Sequence, residues 1–460
     1  MDIFQFIDRT KSEPCLMGNE LYLIEGKWFR LDKIQFCPLD VTYLKTRFGD
    51  HFCLSIHFVG KIVIKAGVNA EGKSFVWCGE KTLESRTAEK GTCHIDLSKV
   101  QSGTLEISFL ALKESTIFDN SPAAVEKDVN PEHVLYDFLS PTYELCCEEP
   151  LYYRFVGEQA YYSFEDRKVY LKKKSSVDLL TYFNAFSAVK WKKYTNVEHL
   201  STYLDFEGEA IAEAIHISEH GERVLASWKL KADHRVTLEL PLGEYPDVGI
   251  IGLRIHAERE CVLHGGGYLT DAPVTQSVHL GIGITTYRRE DAVKASVARL
   301  GKAIAEHPLY HNAIDITVVD NGQTLVPEDV PAATLIPNKN LGGTGGFMRS
   351  LIHYQDEGTY THCLFMDDDA SCEAGSLFRS MSFMRHALDL KLALSGAMLF
   401  ENIQFLQWEN GAWFDGGCHS LNRNLDLRVP QNLHINETES TQQIYGAWWF
   451  FFFPILQVKQ

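Results

Sequence analysis

Several features are missing from this sequence of 460 residues, and each absence narrows what it encodes. There is no basic excess: 44 Lys and Arg stand against 61 Asp and Glu, a net charge of −17. A surface of that sign repels phosphate backbones over long range, which excludes general nucleic-acid binding but leaves room for a local pocket holding one nucleotide. There is no long apolar run. The longest, Trp448–Leu456, has nine residues, whereas a helix that crosses a bilayer needs about 20. The opening residues MDIFQFIDRTKSEP lack the basic start, apolar stretch and small-residue cleavage site of an export leader, so a cytoplasmic location is expected. There is no CxxC. The eleven cysteines are scattered, with one adjacent pair, Cys146 and Cys147. An odd, dispersed set favours free thiols in a reducing compartment over a disulfide framework or a zinc site. In that setting the sequon Asn436-Glu437-Thr438 is read as chance.

What is present is ordinary globular composition, 45% hydrophobic and 23% charged, in a chain long enough for roughly two to four domains. The pattern changes near residue 275. Before it, short stretches alternate apolar and polar residues between Gly, Asn and Asp: 51–61, 61–69, 103–113, 234–243 and 249–258 all read as strands. This is the pattern of β-sandwich modules. A repeat runs through it: Leu54-Ser55 returns as Leu200-Ser201, and Leu105, Ile107, Phe109 and Ala111 return as Ile251, Leu253, Ile255 and Ala257, each 146 residues later. His94-Ile-Asp-Leu aligns with Thr237-Leu-Glu-Leu after a small deletion. Two sandwiches in tandem are expected, 1–130 and 131–275, joined by the polar stretch 119–131.

From 276 to 460 strands and helices alternate, as a parallel sheet with crossover helices requires. Strands are expected at 278–284, 314–320, 334–336, 362–367 and 392–400. Helices are expected at 291–305, from 346, and at 375–388. Ligands of such sheets bind outside the carboxyl ends of the strands. Those ends carry Thr285-Thr-Tyr-Arg-Arg289, Asp320-Asn-Gly322, Asn338-Lys-Asn-Leu-Gly-Gly-Thr-Gly-Gly346 and Asp367-Asp-Asp369. In extended backbone Asp367 and Asp369 point the same way and Asp368 elsewhere. Two converging carboxylates suit Mg²⁺ or Mn²⁺, a cation usually held by one or two carboxylates plus substrate phosphates; the competing reading is a solvated acidic turn. Gly342, Gly343, Gly345 and Gly346 let the backbone approach a ligand closely, and a helix opening at Gly346 would turn free N–H groups toward phosphate. The spacing is neither GxGxxG nor GxxxxGK[ST], so a Rossmann dinucleotide site and a P-loop are not indicated. Arg349, one turn into the helix, could meet a diphosphate or form a surface ion pair. Arg288 and Arg289 could stack on or bond a base. Asp320 could accept from a uracil N3–H or simply close an Asp-Asn-Gly turn. Trp448 and Trp449 precede four phenylalanines, which read as core.

Together the strings TTYRRED, VVDNG, NKNLGGTGGFMRS, LFMDDDA and GAWWF, in this order and spacing, resemble the galactofuranosyltransferases of glycosyltransferase family 2, the mycobacterial galactan polymerase type. The resemblance covers about 275–460; 140–270 is similar in kind to that family's N-terminal β domain, and 1–130 is an additional module. It implies a GT-A (Rossmann-like) fold, a UDP-galactofuranose donor, a divalent cation, inversion at the anomeric carbon, and a growing galactan or O-antigen-type acceptor. Thr285, Thr286, Arg289, Asp320, Asn340, the four glycines, Arg349, Asp367 and Asp368 would line the donor. Asp367 and Asp369 would hold the metal. Trp448 and Trp449 would meet the acceptor. Peripheral attachment to the inner face of the plasma membrane and homo-oligomerisation are compatible with this picture. The family's base lies in a Trp-Asp-Asp segment after the paired tryptophans, followed by a metal-binding histidine, and nothing up to Gln460 matches either. The reading is therefore of a GT-A domain incomplete at its C-terminus. Two alternatives stay open: another nucleotide-sugar donor, or a carbohydrate-binding or assembly subunit with a vestigial transferase domain. This chain is expected to bind UDP and metal with little transfer, and a normal turnover rate for it would contradict that.

Overall fold

The computed structural model describes residues 129–458 except 158, 220, 241–248 and 439–444, and, before them, the backbone of the strands that lie between Cys15 and Glu114. The chain divides into two compact units, 1–117 and 118–460. Most of the expected linker, 119–128, lies outside the described residues.

In the first unit Cys15–Ile24, Lys27–Gln35, Leu39–Asp40, Lys61–Ala70, Lys73–Glu84 and Thr104–Glu114 form one antiparallel sheet, and Cys53–Phe58 pairs with Gly91–Asp96 in another. In the second unit an eleven-stranded assembly is organised on one strand, Leu200–Ser218. Its first part pairs with Arg235–Leu240 and Cys261–Leu269, its last part with Gly221–Ala232 and Ile250–Ala257. The switch falls at a register shift between Asp205 and Phe206 and at Gly208, whose φ is +120°, a bulged corner that carries one strand from sheet to sheet. Phe206, Ile215, Leu253, Ile255 and Tyr268 fill the space between, essentially without solvent contact.

The pairing plan recurs between the units. Cys53–Phe58 meets Gly91–Asp96 as 200–205 meets Arg235–Leu240. Lys61–Ala70 pairs with Lys73–Glu84 and Thr104–Glu114, as 208–218 pairs with Gly221–Ala232 and Ile250–Ala257. The residues that repeat in sequence therefore occupy equivalent strands.

From 280 onward the sheet and the helices packed on it are β1 (Leu280–Thr286), α1 (Glu290–Glu306), β2 (Ile314–Asp320), β3 (Thr334–Pro337), α2 (Gly342–Glu357), β4 (His362–Asp367), α3 (Ala374–Arg385), β5 (Leu394–Ser395) and β6 (Phe451–Pro454), with short hairpins and the helix Pro430–Glu437 between the last two. The sheet runs β3-β2-β1-β4-β6-β5. The first four strands are parallel; β6 is antiparallel to β4 and β5 to β6. The expected strand 392–400 is broken into Leu394–Ser395 and Met398–Leu399. At Gly396 between them a Cβ would lie 2.9 Å from that of Phe450. The expected helix 375–388 ends at Arg385.

One face of the sheet, with Leu280, Ile282, Ile284 and Val318, is covered by α1 through Val293, Val297, Leu300 and Ile304 and by α3 through Leu377, Met381 and Met384. The other carries α2 through Phe347, Leu351 and Tyr354. The alternation in Leu-Gly-Ile-Gly-Ile-Thr explains this second contact. A Cβ on Gly281 would meet the Tyr354 ring at 2.5 Å, and one on Gly283 the Ser350 Oγ at 2.2 Å. Glycine at every other position lets α2 lie directly on the β1 backbone.

Two buried histidines flank the parallel sheet, each 2% exposed: His362, against Phe452, and His386, bonded to Asn196 at 3.1 Å. Burial lowers both pKa values to about 4. Both are thus neutral in the fold, while the unfolded chain takes up protons below about 6.5. Stability is full above that pH and is lost as pH falls from about 6.5 to about 4. Thermal unfolding midpoints measured over that range should fall, and His362→Phe combined with His386→Gln should flatten the profile.

Candidate functional site

The carboxyl ends of β1, β2 and β4 lie level: Thr286 is paired with Asp320 and Thr285 with Asp367. β1 sits between β2 and β4, so strand order reverses there, the position at which open parallel sheets form a crevice. The residues singled out from the sequence at 285–289, 320–322, 340–349 and 367–369 come from the loops around this one point.

The helix begins at Gly342, four residues earlier than expected, so the glycines form its first turn instead of leading into it. Gly342 takes φ +78°, and its N–H donates to Asn340 Oδ1 at 3.0 Å. The N-cap residue, Leu341, makes no side-chain capping bond, and the N–H groups that follow Gly342 in the first turn have no intrahelical partner. A Cβ on Gly342 or Gly343 would meet nothing within 4 Å, whereas one on Gly346 would strike Thr285 Cγ2 at 2.2 Å. The first pair faces open space and the last presses on β1. Arg349 is half-buried, and among the described residues no carboxylate pairs with it.

The acidic triplet departs from the extended spacing. β4 ends at Asp367, and Asp368 and Asp369 lie in a turn. Alternation therefore does not carry through to Asp369, and Asp368 does not face away. It is buried and accepts from Thr286 Oγ1 at 2.8 Å. Arg289 reaches over both residues, 3.4 Å from Asp368 Oδ1 and in an ion pair with Asp369. It is brought there just after Arg288, a left-handed residue with φ +54° in a region sparsely used by non-glycine residues. Asp367 is half-buried, and no donor to its carboxylate is found among the described residues. Desolvation, then Asp369 and Asp368, push its pKa up, and Arg289 opposes them.

Two expected donor contacts take other roles. Asp320 is 1% exposed, and its carboxylate accepts from the backbone of Gly322, Thr324 and Leu325 at 2.8, 2.7 and 2.9 Å. It ties its own loop, as an Asp-Asn-Gly turn favours, and does not present itself to a base. Thr286 is likewise buried and supports Asp368, while half-buried Thr285 backs Gly346. The tryptophans separate across the sheet. Trp448 packs on Phe347 and Phe365, at 5.5 and 5.0 Å between ring centroids, each on an element that ends at the site. Trp449 faces the opposite core, and its indole N–H donates to Gly396 O at 2.8 Å.

The sequence reading missed a bracing pair: Asn338 Nδ2 donates to Asn321 Oδ1 at 2.8 Å, and Asn321 Nδ2 to Gly342 O at 3.2 Å. The visible signal was asparagine in both loops. Among the described residues no three metal-type ligands converge. Asp367 and Asp369 still fit a cation of the Mg²⁺ or Mn²⁺ kind, because that class needs only one or two protein carboxylates beside phosphate oxygens, and the Asp367 carboxylate stands partly desolvated beside two others.

Residues 150–271 match the family model described as "Galactofuranosyltransferase 2 N-terminal". The chain resembles the GlfT2 galactofuranosyltransferases. Galactofuranosyltransferase GlfT2 of Mycobacterium tuberculosis (strain ATCC 25618 / H37Rv) is 26% identical over 242 residues, 49% of this chain and 37% of that protein. GlfT2 of Mycolicibacterium smegmatis (strain ATCC 700084 / mc(2)155) is 27% identical over 242 residues, 49% of this chain and 36% of that protein. The chain thus spans little more than a third of the length of these relatives. Among solved structures, a Clostridium thermocellum xylanase 10B fragment with CBM22-1 and GH10 modules aligns at 9% identity over 40% of this chain and 38% of that one, with a TM-score of 0.20, too low to bear on fold or function. The family match falls on the strands from Arg154–Val156 to Cys261–Leu269, the module that precedes the parallel sheet.

Substituting the two ends of the glycine turn should separate packing from binding. Gly346→Ala forces its methyl into Thr285 and should cost about 1–3 kcal/mol of stability, read from denaturant midpoints. Gly343→Ala, facing open space, should leave stability unchanged or raise it by up to about 1 kcal/mol.

Proposed function

We propose that this chain carries the donor site of an inverting, metal-dependent glycosyltransferase with a GT-A domain. The enzyme would move galactofuranose from UDP-galactofuranose to a growing cell-surface polysaccharide from the cytoplasmic side, with peripheral membrane attachment. The observation that supports it most is that the acidic turn after β4 and the glycine-led start of α2 both adjoin Thr285 at the end of β1, where strand order reverses, in a chain whose preceding module matches a galactofuranosyltransferase model.

Each group then has a physical task. Asp367 and Asp369 would hold Mn²⁺ or Mg²⁺, which supplies Lewis-acid neutralisation of the diphosphate as it leaves. The free N–H groups of the first turn of α2 would receive phosphate oxygens. Arg289, now shared between Asp368 and Asp369, would turn its guanidinium toward the diphosphate, leaving Asp369 for the cation. Thr286 keeps Asp368 fixed through its hydroxyl. Asn340 and Asn321 hold the glycine turn in place. Trp448, at the site edge, would offer its ring to the acceptor sugar, whereas Trp449 supports the sheet. No residue of this chain is assigned the base that deprotonates the acceptor hydroxyl.

The grip of Arg289 on two carboxylates favours a second reading, a glycan-binding or assembly subunit whose transfer site is closed. Calorimetric titration of UDP with and without MnCl₂ separates the two. The donor-site reading expects Mn²⁺-dependent UDP binding, weakened at least tenfold, about 1.4 kcal/mol, by Asp369→Ala. No Mn²⁺ dependence in the unmodified chain would leave the binding-subunit reading. A panel of nucleotide sugars would then test the galactofuranose assignment.

A further inference from the structure

We infer that Tyr152, in the β-rich module, is a positioning residue for the acidic turn: its hydroxyl, donated to Glu373, fixes the far end of the segment bearing Asp367 and Asp369. The inference rests on the donor-site reading above and adds to it a role for the preceding module.

The segment Asp367–Glu373 runs from the end of β4 to the start of α3 without regular structure. Its near end is held in the sheet. Its far end is Glu373, the residue at the N-terminal boundary of α3, whose side chain makes no capping bond to its own helix. The carboxylate instead accepts from Tyr152 Oη at 2.5 Å. Tyr152 is fully buried and rigidly seated: its ring stacks on Phe183 at 4.5 Å, and its carbonyl accepts from Asn184 Nδ2 at 2.8 Å and Thr181 Oγ1 at 2.9 Å. The helix that follows lies against the same module along its length. At Gly375 a Cβ would strike Leu139 Cδ2 at 2.2 Å, the Arg379 guanidinium covers the Tyr136 ring at 3.8 Å, and Arg385 pairs with Glu132 at 2.5 Å.

Adhesion alone would not call for a carboxylate at this place, since a well-packed apolar pair serves contact as well without the cost of desolvating a charge. A charge-assisted hydrogen bond adds direction: one oxygen is held at one distance and angle. It therefore fixes where the loop ends, and with it how far the carboxylates upstream can move. Groups that orient metal-binding side chains from behind typically change metal affinity by 10–100-fold when removed. The Tyr152 bond acts four residues from Asp369, so the lower end of that range applies.

The test uses the full chain, MnCl₂ and UDP. Tyr152→Phe keeps the ring and its stack and removes only the donor. Its Mn²⁺-dependent UDP affinity should fall about tenfold, with UDP binding in the absence of metal little changed and the thermal midpoint lowered only as far as the loss of one partner of the Glu373 carboxylate requires. Glu373→Gln, which still offers an oxygen to Tyr152 but without the charge, should lose less affinity than Tyr152→Phe, and Glu373→Leu should fall with Tyr152→Phe. Combining Tyr152→Phe with Glu373→Leu should lose no more than either alone. Equal Mn²⁺–UDP affinity in Tyr152→Phe and the unmodified chain overturns this inference and leaves the donor site standing. If Tyr152→Phe does not fold, unchanged affinity in Glu373→Leu overturns it equally. Absence of Mn²⁺–UDP binding by the unmodified chain overturns the donor-site reading, and this inference with it.

Discussion

The contact on which the site depends is that of a helix with a strand stripped of side chains on one face. Gly281 and Gly283 of β1 leave room for Tyr354 and Ser350 of α2, and Gly346 of α2 leaves room for Thr285 of β1. Three positions without a Cβ, two on the strand and one on the helix, set the approach of the two backbones. They also set where the helix starts. Because its first turn is anchored at Gly346, on Thr285 at the end of β1, Gly342 and Gly343 are left facing open space, with the Gly342 carbonyl held by Asn321 from the loop after β2. Glycine costs about 1 kcal/mol per residue inside a helix relative to alanine. A first turn built from four glycines therefore persists through tertiary packing, and its intrinsic preference opposes it.

The electrostatics of the acidic turn follow from that geometry. Three carboxylates follow the end of one strand, and the guanidinium of Arg289 spans two of them. Asp367 is left partly desolvated beside like charge, which is why its proton is held more tightly than usual. Such a cluster is short of positive charge and is the kind of place where a cation, or a rearrangement of the arginine, changes the local balance most.

Much of this architecture was legible in the sequence, because apolar blocks of four to eight residues flanked by polar loops leave few options for a parallel sheet. The strands expected at 278–284, 314–320 and 362–367, the first of them found at 280–286, and the helix carrying Val293, Val297, Leu300 and Ile304 were read from periodicity alone. Legibility failed where one residue type serves two physical ends. Asp320 in Asp-Asn-Gly satisfies its own loop's N–H groups, and no spacing distinguishes that from a carboxylate facing a ligand. The step from Asp367 to Asp369 follows alternation only while the strand lasts, and the strand's last residue was not marked by any glycine or proline. Trp448 and Trp449 look equivalent in sequence, yet adjacent residues at a strand's entrance fall on opposite faces, so one borders the site and the other does not. Tyr152 and Glu373 are separated by 221 positions, a distance over which no local pattern operates.

The strand Leu200–Ser218 has a mechanical meaning beyond its place in the core. Its nineteen residues are shared property of both sheets of the module, so neither sheet can peel away while the other stays intact. A cut or an inserted loop near Gly208 would sever the common spine of the whole module, whereas the same lesion in a hairpin turn such as 164–167 would trim only its margin. Fraying from the rim inward, with this spine the last element to give way, is the order of disassembly that such a layout imposes.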